Sequence, residues 1–258
     1  MSPKAPNKEG SGFYHALRRF RKSRRKIGLM YTVQEGLKSV IPKRFMRWGS
    51  FFLIDSHWPD LTRADISQEG IRAVNPGDAD RLAATRALAH PLQDYLARGA
   101  KMSLCEMDGE VSSIYVYDTH RHEHWDWLQF DLAEDVLWGT SVWVIPGARG
   151  TGLFGHMRSF NAHRLKPEGY HRVLGTVEAW NLPSLRATLK IASIAGTCTY
   201  LRLFTFTMVW FDGRLRAGFW RPGHRLVIHS DEIHSVAGEK LGRYKAKRLE
   251  RHIYGGDN

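Results

Sequence analysis

Apolar and polar positions alternate most clearly in the middle of the chain. Lys101 to Met107 and Glu110 to Tyr117 have a period of two and are joined by Asp108 and Gly109, so they are predicted to pair as an antiparallel hairpin. Before them, Ile71 to Val74 reads as a short strand. Asn75, Pro76, Gly77 and Asp78 then form a turn that can cap a helix from Ala79 to about Ala89. Pro91 suits the first turn of a second helix, about His90 to Ala97, ending at Gly99. Val136 to Ile145 is a longer apolar strand closed by Pro146, and a helix is expected from Leu153 to about Leu165. Then come a strand His171 to Ala179, a helix from Pro183 to about Ser193 opened by Asn181, and one strand from about Thr197 to Phe211. Asp212 and Gly213 turn the chain into a last strand, about Arg214 to Trp220. The aromatic-rich stretch between Tyr117 and Val136 reads as a loop, and Glu239 to Arg251 as a mixed-charge helix. The first 12 residues are polar and are expected to be mobile. From Phe13 to Trp48, apolar residues recur at helical spacing among basic ones, predicting a basic amphipathic helical arm broken around Gly28 and Pro42.

Composition narrows the class. With 258 residues, 43% apolar and 25% charged, the chain can bury a core, which excludes collagen-like, disulfide-built and wholly disordered classes. Its two cysteines, Cys105 and Cys198, form no CxxC pair and have no recognisable histidine partner. They read as buried, inert thiols in a reducing cytoplasm. No run of about 18 apolar residues suggests a spanning helix, and the charged N-terminus lacks the apolar stretch of a signal peptide. The formal charge of +12 is concentrated: up to Trp48 there are 13 basic and 2 acidic residues, a net of +11, which leaves +1 for the rest. The charge therefore describes the arm rather than the body. Such an arm can pack on its own protein, lie on an anionic membrane surface, or contact nucleic acid, the last being the least favoured.

The chemistry centres on Gly147, Ala148, Arg149, Gly150, Thr151 and Gly152, which lie between a strand and a helix. Such a turn holds phosphate because unpaired main-chain N–H groups converge there and the helix dipole favours negative charge. No Lys followed by Ser or Thr completes a Walker A loop. Gly150, Gly152 and Gly155 have the GxGxxG spacing, yet they follow an antiparallel hairpin rather than opening a first parallel unit, which argues against a dinucleotide site.

Three segments together resemble the GNAT superfamily of acyl-CoA-dependent N-acyltransferases. Ile71 to Ala79 is similar to that family's opening strand and helix. Val142 to Phe154 resembles its pyrophosphate loop, (Q/R)xxGx(G/A), with the strand before it. Asn181 with Ser184 matches the Asn-x-x-Ala/Ser that opens a helix beside the cofactor's thiol end. The resemblance covers about Gly70 to Trp220. It departs from the pattern at Phe154, where a small residue is usual, and at Thr188, where many members carry a proton-donating tyrosine.

The resemblance implies an α+β fold: a mixed twisted sheet with helices on both faces, opened in a V between its fourth and fifth strands. The domain would span residues 70–220, with the arm and connector at 13–69 and an extension at 221–258. It further implies transfer of an acyl group, most simply acetyl, from acyl-CoA to an amine without a metal. Val142, Trp143 and Val144 would pair with pantetheine, and the N–H of Trp143 or Val144 would polarise the thioester. Arg149, Gly150, Thr151, Gly152, Leu153 and Phe154 would hold the diphosphate, with Asn181 and Ser184 near the thiol. Glu178 is the first candidate base, Glu134 and Asp135 are rivals, and Ser184 or Thr188 could assist the leaving thiolate. His120, His122 and His124 alternate but read as an exposed or substrate-facing loop in preference to a metal site. The rival functions are an acyltransferase fed by an acyl carrier protein, and a non-enzymatic membrane- or RNA-binding module. If the arm is the membrane contact, deleting residues 1–48 is expected to abolish co-sedimentation with anionic vesicles while leaving thiol release intact; unchanged co-sedimentation would refute it.

Overall fold

A computed structural model describes residues 45–58, 70–85, 87–179, 181–211 and 214–233. Residues 13–44 of the predicted arm, the predicted C-terminal helix and Trp180 lie outside these residues. Nine strands form the main sheet in the order β11-β10-β9-β1-β8-β7-β4-β3-β2. They are β1 (Met46–His57), β2 (Ile71–Ala73), β3 (Lys101–Met107), β4 (Glu110–Asp118), β7 (Val136–Val144), β8 (Arg172–Glu178), β9 (Ser193–Leu203), β10 (Phe206–Phe211) and β11 (Arg214–Phe219). Only β7 and β8 run parallel; the other neighbours are antiparallel. A small second sheet has the order β12-β6-β5, from β5 (Arg121–Trp125), β6 (Leu128–Asp131) and β12 (Leu226–His229). The helices are α1 (Ala79–Thr85), α2 (Leu92–Ala97), α3 (Leu153–Leu165) and α4 (Leu182–Thr188).

Strand alternation sorts the helices onto the two faces. Ile114 and Val116 of β4 share a core with Leu82 of α1 and Leu92 and Tyr95 of α2, whereas Tyr115 and Tyr117 share one with Met157, Ala162 and Leu165 of α3. Helix α4 joins the α3 face through Leu185, packed with Ile54 and Val177. On the α1 and α2 face, the other half of the sheet is covered by the small sheet. There Trp127, Leu128, Phe130 and Ile228 meet Phe51, Trp138 and Leu174. The α+β sheet with helices on both faces is as expected.

The opening segment Ile71 to Asp78 works structurally. Arg72 donates to both oxygens of Asp78 and to Glu106, joining β2, the turn before α1 and β3. Asn75 accepts from Gly77 N–H while its own N–H donates to Asp78, a reciprocal cap. The Arg72 hydrogen bond holds the Asp78 carboxyl below its ordinary value against the opposing effect of burial.

Several expectations are corrected. Residues 46–57, assigned by sequence to the arm and connector, form β1 between β8 and β9. The basic residues before it masked an apolar run, Phe51 to Ile54, that is buried on both faces as central strands require. The bidentate Arg172 to Asp55 pair ties β1 to β8, with distances of 3.0 and 2.9 Å. The segment predicted as a loop is the hairpin β5–β6. Residues 226–229, placed in the extension, pair with β6, so the fold continues past Trp220. The predicted long strand is two strands turning at Phe204, with φ of +54°. The helices at 79–89 and 183–193 are shorter than expected.

Because Leu53 is fully buried in β1, Leu53→Ala is expected to destabilise the protein by about 2–5 kcal/mol in urea unfolding. A fragment beginning at residue 70 should fail to fold cooperatively, and any arm deletion must stop before Met46.

Candidate active site

The site originates in an incomplete strand pairing. β7 pairs with β8 from Val136 to Gly139, against Arg172 to Gly175, and no further. Thr140 is an extra residue in β7 relative to β4, since Val116 pairs with Ser141 and Tyr117 with Gly139. Such a bulge bends its strand. Beyond it, Val142 to Val144 remain paired with β4 while Thr176 to Glu178 remain paired with β1, so the two parallel strands part.

The direction of the main-chain groups along the free edge can be read. Ile145 N–H donates to Ser112 O, and Trp143 O accepts from Ser113 Oγ, so both residues turn towards β4. Alternation turns the N–H and C=O of Val142 and Val144 into the gap. Val144 O accepts from Arg149 Nε at 3.2 Å. Of the two N–H groups proposed to polarise a thioester, that of Val144 faces the gap and that of Trp143 does not.

At the end of β7 the chain turns through Pro146–Ala148 into an exposed loop. Gly150 and Gly152 have φ of +82° and +86°, a region other residues rarely adopt, and Thr151 Oγ1 donates to Ala148 O at 2.8 Å. Among the described residues, the N–H groups of Gly150, Thr151, Gly152, Leu153 and Phe154 have no acceptor, and no side chain caps α3. Leu153 is buried. Phe154 is turned inward, its ring 5.6 Å from that of Tyr115 and its carbonyl accepting from Tyr115 Oη, so its bulk does not fill the loop.

The other predicted residues separate. Glu178 is the last residue of β8, at the open end of the gap. Asn181 caps α4, its Oδ1 accepting from Ser184 N–H at 3.3 Å, which places both residues just beyond β8. Thr188 ends α4, about 10 Å along the helix from its start. Glu134 and Asp135 precede β7 at the closed end, where Asp135 O accepts from His171 and Arg172 N–H. The paired segment Val136 to Gly139 separates them from the gap, so Glu134 is not positioned as a base there.

Tyr200 and the partners of His122 and His124 escaped the sequence analysis. Tyr200 lies across β1, its hydroxyl 2.8 Å from where a Cβ on Gly49 would stand, and it packs on Trp125 and Trp127. Burial, with the charge of Glu178, raises it from 10.0 to about 12. The second is a polar line beneath the small sheet. Asp118 Oδ2 lies 2.7 Å from both His122 Nδ1 and Thr140 Oγ1, and Asp118 Oδ1 is 3.2 Å from Arg98. His122 Nε2 is 3.3 Å from His124 Nδ1. Burial works to raise the Asp118 pKa, but the His122 and Thr140 hydrogen bonds, with Arg98, outweigh it and hold it below the ordinary value. His122 and His124 thus sit on a strand, not the predicted loop. Their period of two signalled this, while the surrounding polar residues obscured it. Cys105 and Cys198 are buried and form no disulfide, and among the described residues no group of three or more ligands is placed to hold a metal.

No family model matches the chain, and no curated protein sequence matches it. Among solved structures, one similar to it is an acetyltransferase ascribed to the GNAT family from Novosphingobium aromaticivorans, at 16% identity over 61% of this chain and 67% of that one, TM-score 0.40. Another match is a functionally unknown conserved protein from Staphylococcus epidermidis, at 11% identity over 65% of this chain and 66% of that one, TM-score 0.44. A third is an aminoglycoside N-acetyltransferase in complex with CoA, at 14% identity over 46% of this chain and 87% of that one, TM-score 0.34. This chain spans about two thirds of the length of the first two. These are likenesses of fold.

Asp118→Asn is expected to lower stability at pH 7 by about 1–3 kcal/mol, because a buried acceptor of two hydrogen bonds is weakened. The depressed folded-state pKa means this contribution is present above the ordinary value of 3.8 and is lost as pH falls through the lower folded value. Acid unfolding curves of the two proteins should therefore converge at low pH.

Proposed function

We propose that the chain is an N-acyltransferase that moves an acyl group, most simply acetyl, directly from acyl-CoA to an amine. One observation carries this reading: a gap between parallel strands runs into a loop with five successive main-chain N–H groups left without acceptors. Outward N–H groups beside a helix start suit a diphosphate, and Arg149 adds a cation at the loop mouth. From there a pantetheine arm can run along the free edge of β7, using the outward main chain of Val142 and Val144. Val144 N–H is the donor suited to a developing oxyanion.

In this reading the amine meets the thioester where β7 and β8 part beyond Gly139 and Gly175. Glu178 is the carboxylate at the open end. Its role is to pair with the incoming ammonium and take the proton that must leave before attack, most of the acceleration then coming from positioning. Asn181 and Ser184 open α4 beside the thiol end. With Phe154 turned inward, the loop retains room for the CoA diphosphate, which favours CoA over an acyl carrier protein as donor. A peripheral contact of the basic segment 13–44 with an anionic inner-membrane surface, in the cytoplasm, belongs to the same proposal.

Titration with acetyl-CoA, longer acyl-CoAs and acyl carrier protein, followed by thiol release with pooled amines, tests the reading. Gly152→Val is expected to weaken CoA binding at least about tenfold, equivalent to about 1.4 kcal/mol. Unchanged affinity in the folded variant would remove the loop from the site. Absent CoA binding with steeply salt-dependent RNA or vesicle binding would replace the enzyme by a binding module.

A further inference from the structure

We propose that the end of the sheet built from Phe45, Leu203, Phe204, Phe206 and Phe219 is a docking tip that enters the surface of an anionic phospholipid bilayer. The proposal rests on the reading that the basic segment 13–44 meets such a surface, and it adds the part of the folded body that enters the lipid. It does not depend on acyl transfer.

Strand pairing assembles the tip. Met46, Leu203, Phe206 and Phe219 stand side by side across β1, β9, β10 and β11, so they share one face of the sheet. The rings of Phe206 and Phe219 are 5.1 Å apart. Phe45 precedes Met46 and falls on the opposite face, where its ring lies 5.5 Å from that of Phe204. Both faces of this end are therefore apolar. Phe204 and Phe219 are 66% and 68% exposed, and Phe45 and Leu203 are exposed as well. Apolar side chains gathered in this way on a surface mark a contact, with another protein or with a membrane.

The turn at the tip has an unusual residue. Leu203 pairs with Phe206, which leaves Phe204 and Thr205 as the two turn residues, and Phe204 has φ of +54°. Asn, Asp or Gly suits that conformation, whereas a bulky side chain is strained in it. The strained backbone holds an aromatic ring at the end of the sheet, mostly in water. Strain and exposure are both unfavourable there, and they are offset where the ring enters lipid.

Shape, charge and orientation decide the occupant. A helix or a second copy of the chain would cover one face of a sheet, whereas this end is apolar on both, which suits a medium that surrounds it. Up to Trp48 the chain carries 13 basic and 2 acidic residues, and it enters β1 beside Phe45, so the cations are tethered at the root of the tip. Two copies meeting at their tips would bring like charges together, while anionic headgroups attract them. The tip also lies where the gap opens. β7 and β8 are parallel and both end there; β1, antiparallel to β8, begins at that end, and β9, antiparallel to β1, finishes at it. Glu178 stands opposite Phe51, and β1 extends past it to Met46, so the tip projects beyond the gap. Seating the tip in lipid turns the open end of the gap towards the membrane surface.

The test is binding of the full chain, at about 0.15 M salt, to vesicles of phosphatidylglycerol and phosphatidylcholine in equal parts, with pure phosphatidylcholine vesicles as the reference. The wild type is expected to bind the anionic vesicles. Phe204→Ser combined with Phe219→Ser should weaken that binding at least about tenfold, and Phe204→Trp combined with Phe219→Trp should keep it within about threefold. Both positions are exposed, so the urea midpoints should stay near that of the wild type. An environment-sensitive fluorophore on Thr205→Cys reads the tip with both phenylalanines in place, since the native cysteines are buried; it should brighten and shift to the blue on the anionic vesicles. Ser variants that bind as the wild type does, a fluorophore that stays in water while the chain is bound, or a wild type that binds neither vesicle would overturn the tip. A dimer in solution that the Ser variant breaks would assign the surface to a second copy and overturn it too. Gln at the seven basic residues from Arg18 to Lys26 separates the two readings. Unchanged binding in that variant, with loss in the Ser variant, would remove the basic segment from the contact and leave the tip.

Discussion

Everything at the site depends on β7 and β8 being paired for only four residues. A parallel pair in the middle of a nine-stranded sheet would ordinarily continue, because each main-chain N–H and C=O left without a partner is unfavourable when buried. Here the pairing ends at Gly139 and Gly175, and the strands are held apart by their other neighbours, β4 and β1. The outward groups of Val142 and Val144 thus face a gap instead of a strand. That edge, and the uncapped start of α3 beyond it, give the molecule a continuous line of main-chain polar groups that another molecule can satisfy.

The bulge at Thr140 sets the side-chain arrangement as well as the bend. One extra residue shifts the alternation of β7, so that Trp138 packs beneath the small sheet while Val144 joins the α3 core. Thr140 itself turns to Asp118, on the same face as Trp138. The loop beyond is anchored from below: Leu153 is buried, Phe154 packs against Tyr115 with the rings tilted, and Ala148 lies in the same core. Side chains that point inward oblige the intervening main chain to face outward. The bulk of Phe154, which at sequence level seemed to crowd the loop, is therefore part of what holds it open.

Local chemistry made much of this legible. Asp108 and Gly109 specified the β3–β4 hairpin, and the boundaries of α3 followed from the glycines before it and the apolar spacing within it. The glycine loop and the Asn181 cap were found because their function depends on a few consecutive residues. What escaped depends on pairing between distant segments. β1 has no short-range signal that separates a central strand from a buried helical stretch, and the charge of the preceding residues pulled Met46 to His57 into the arm. Tyr200 reaches the site only because β9 pairs with β1, where Gly49 leaves room for its ring. The bulge depends on register against β4, which a single chain read in order does not display. Glu134 seemed near the site because it precedes β7, but a strand has two ends and only the far one opens.

The small sheet covers the bulge that opens the gap. Among its aromatic residues, Asp118, His122 and His124 are an expensive choice for a purely structural core, since aliphatic side chains of similar volume would avoid desolvating a carboxylate and two imidazoles. Asp118 accepts from His122 and Thr140 and is paired with Arg98, while at the far end of the line His124 Nε2 has no hydrogen-bond partner among the described residues. Both ends of the line carry an atom without a hydrogen bond, since Asp118 Oδ1 is paired with Arg98 by charge alone.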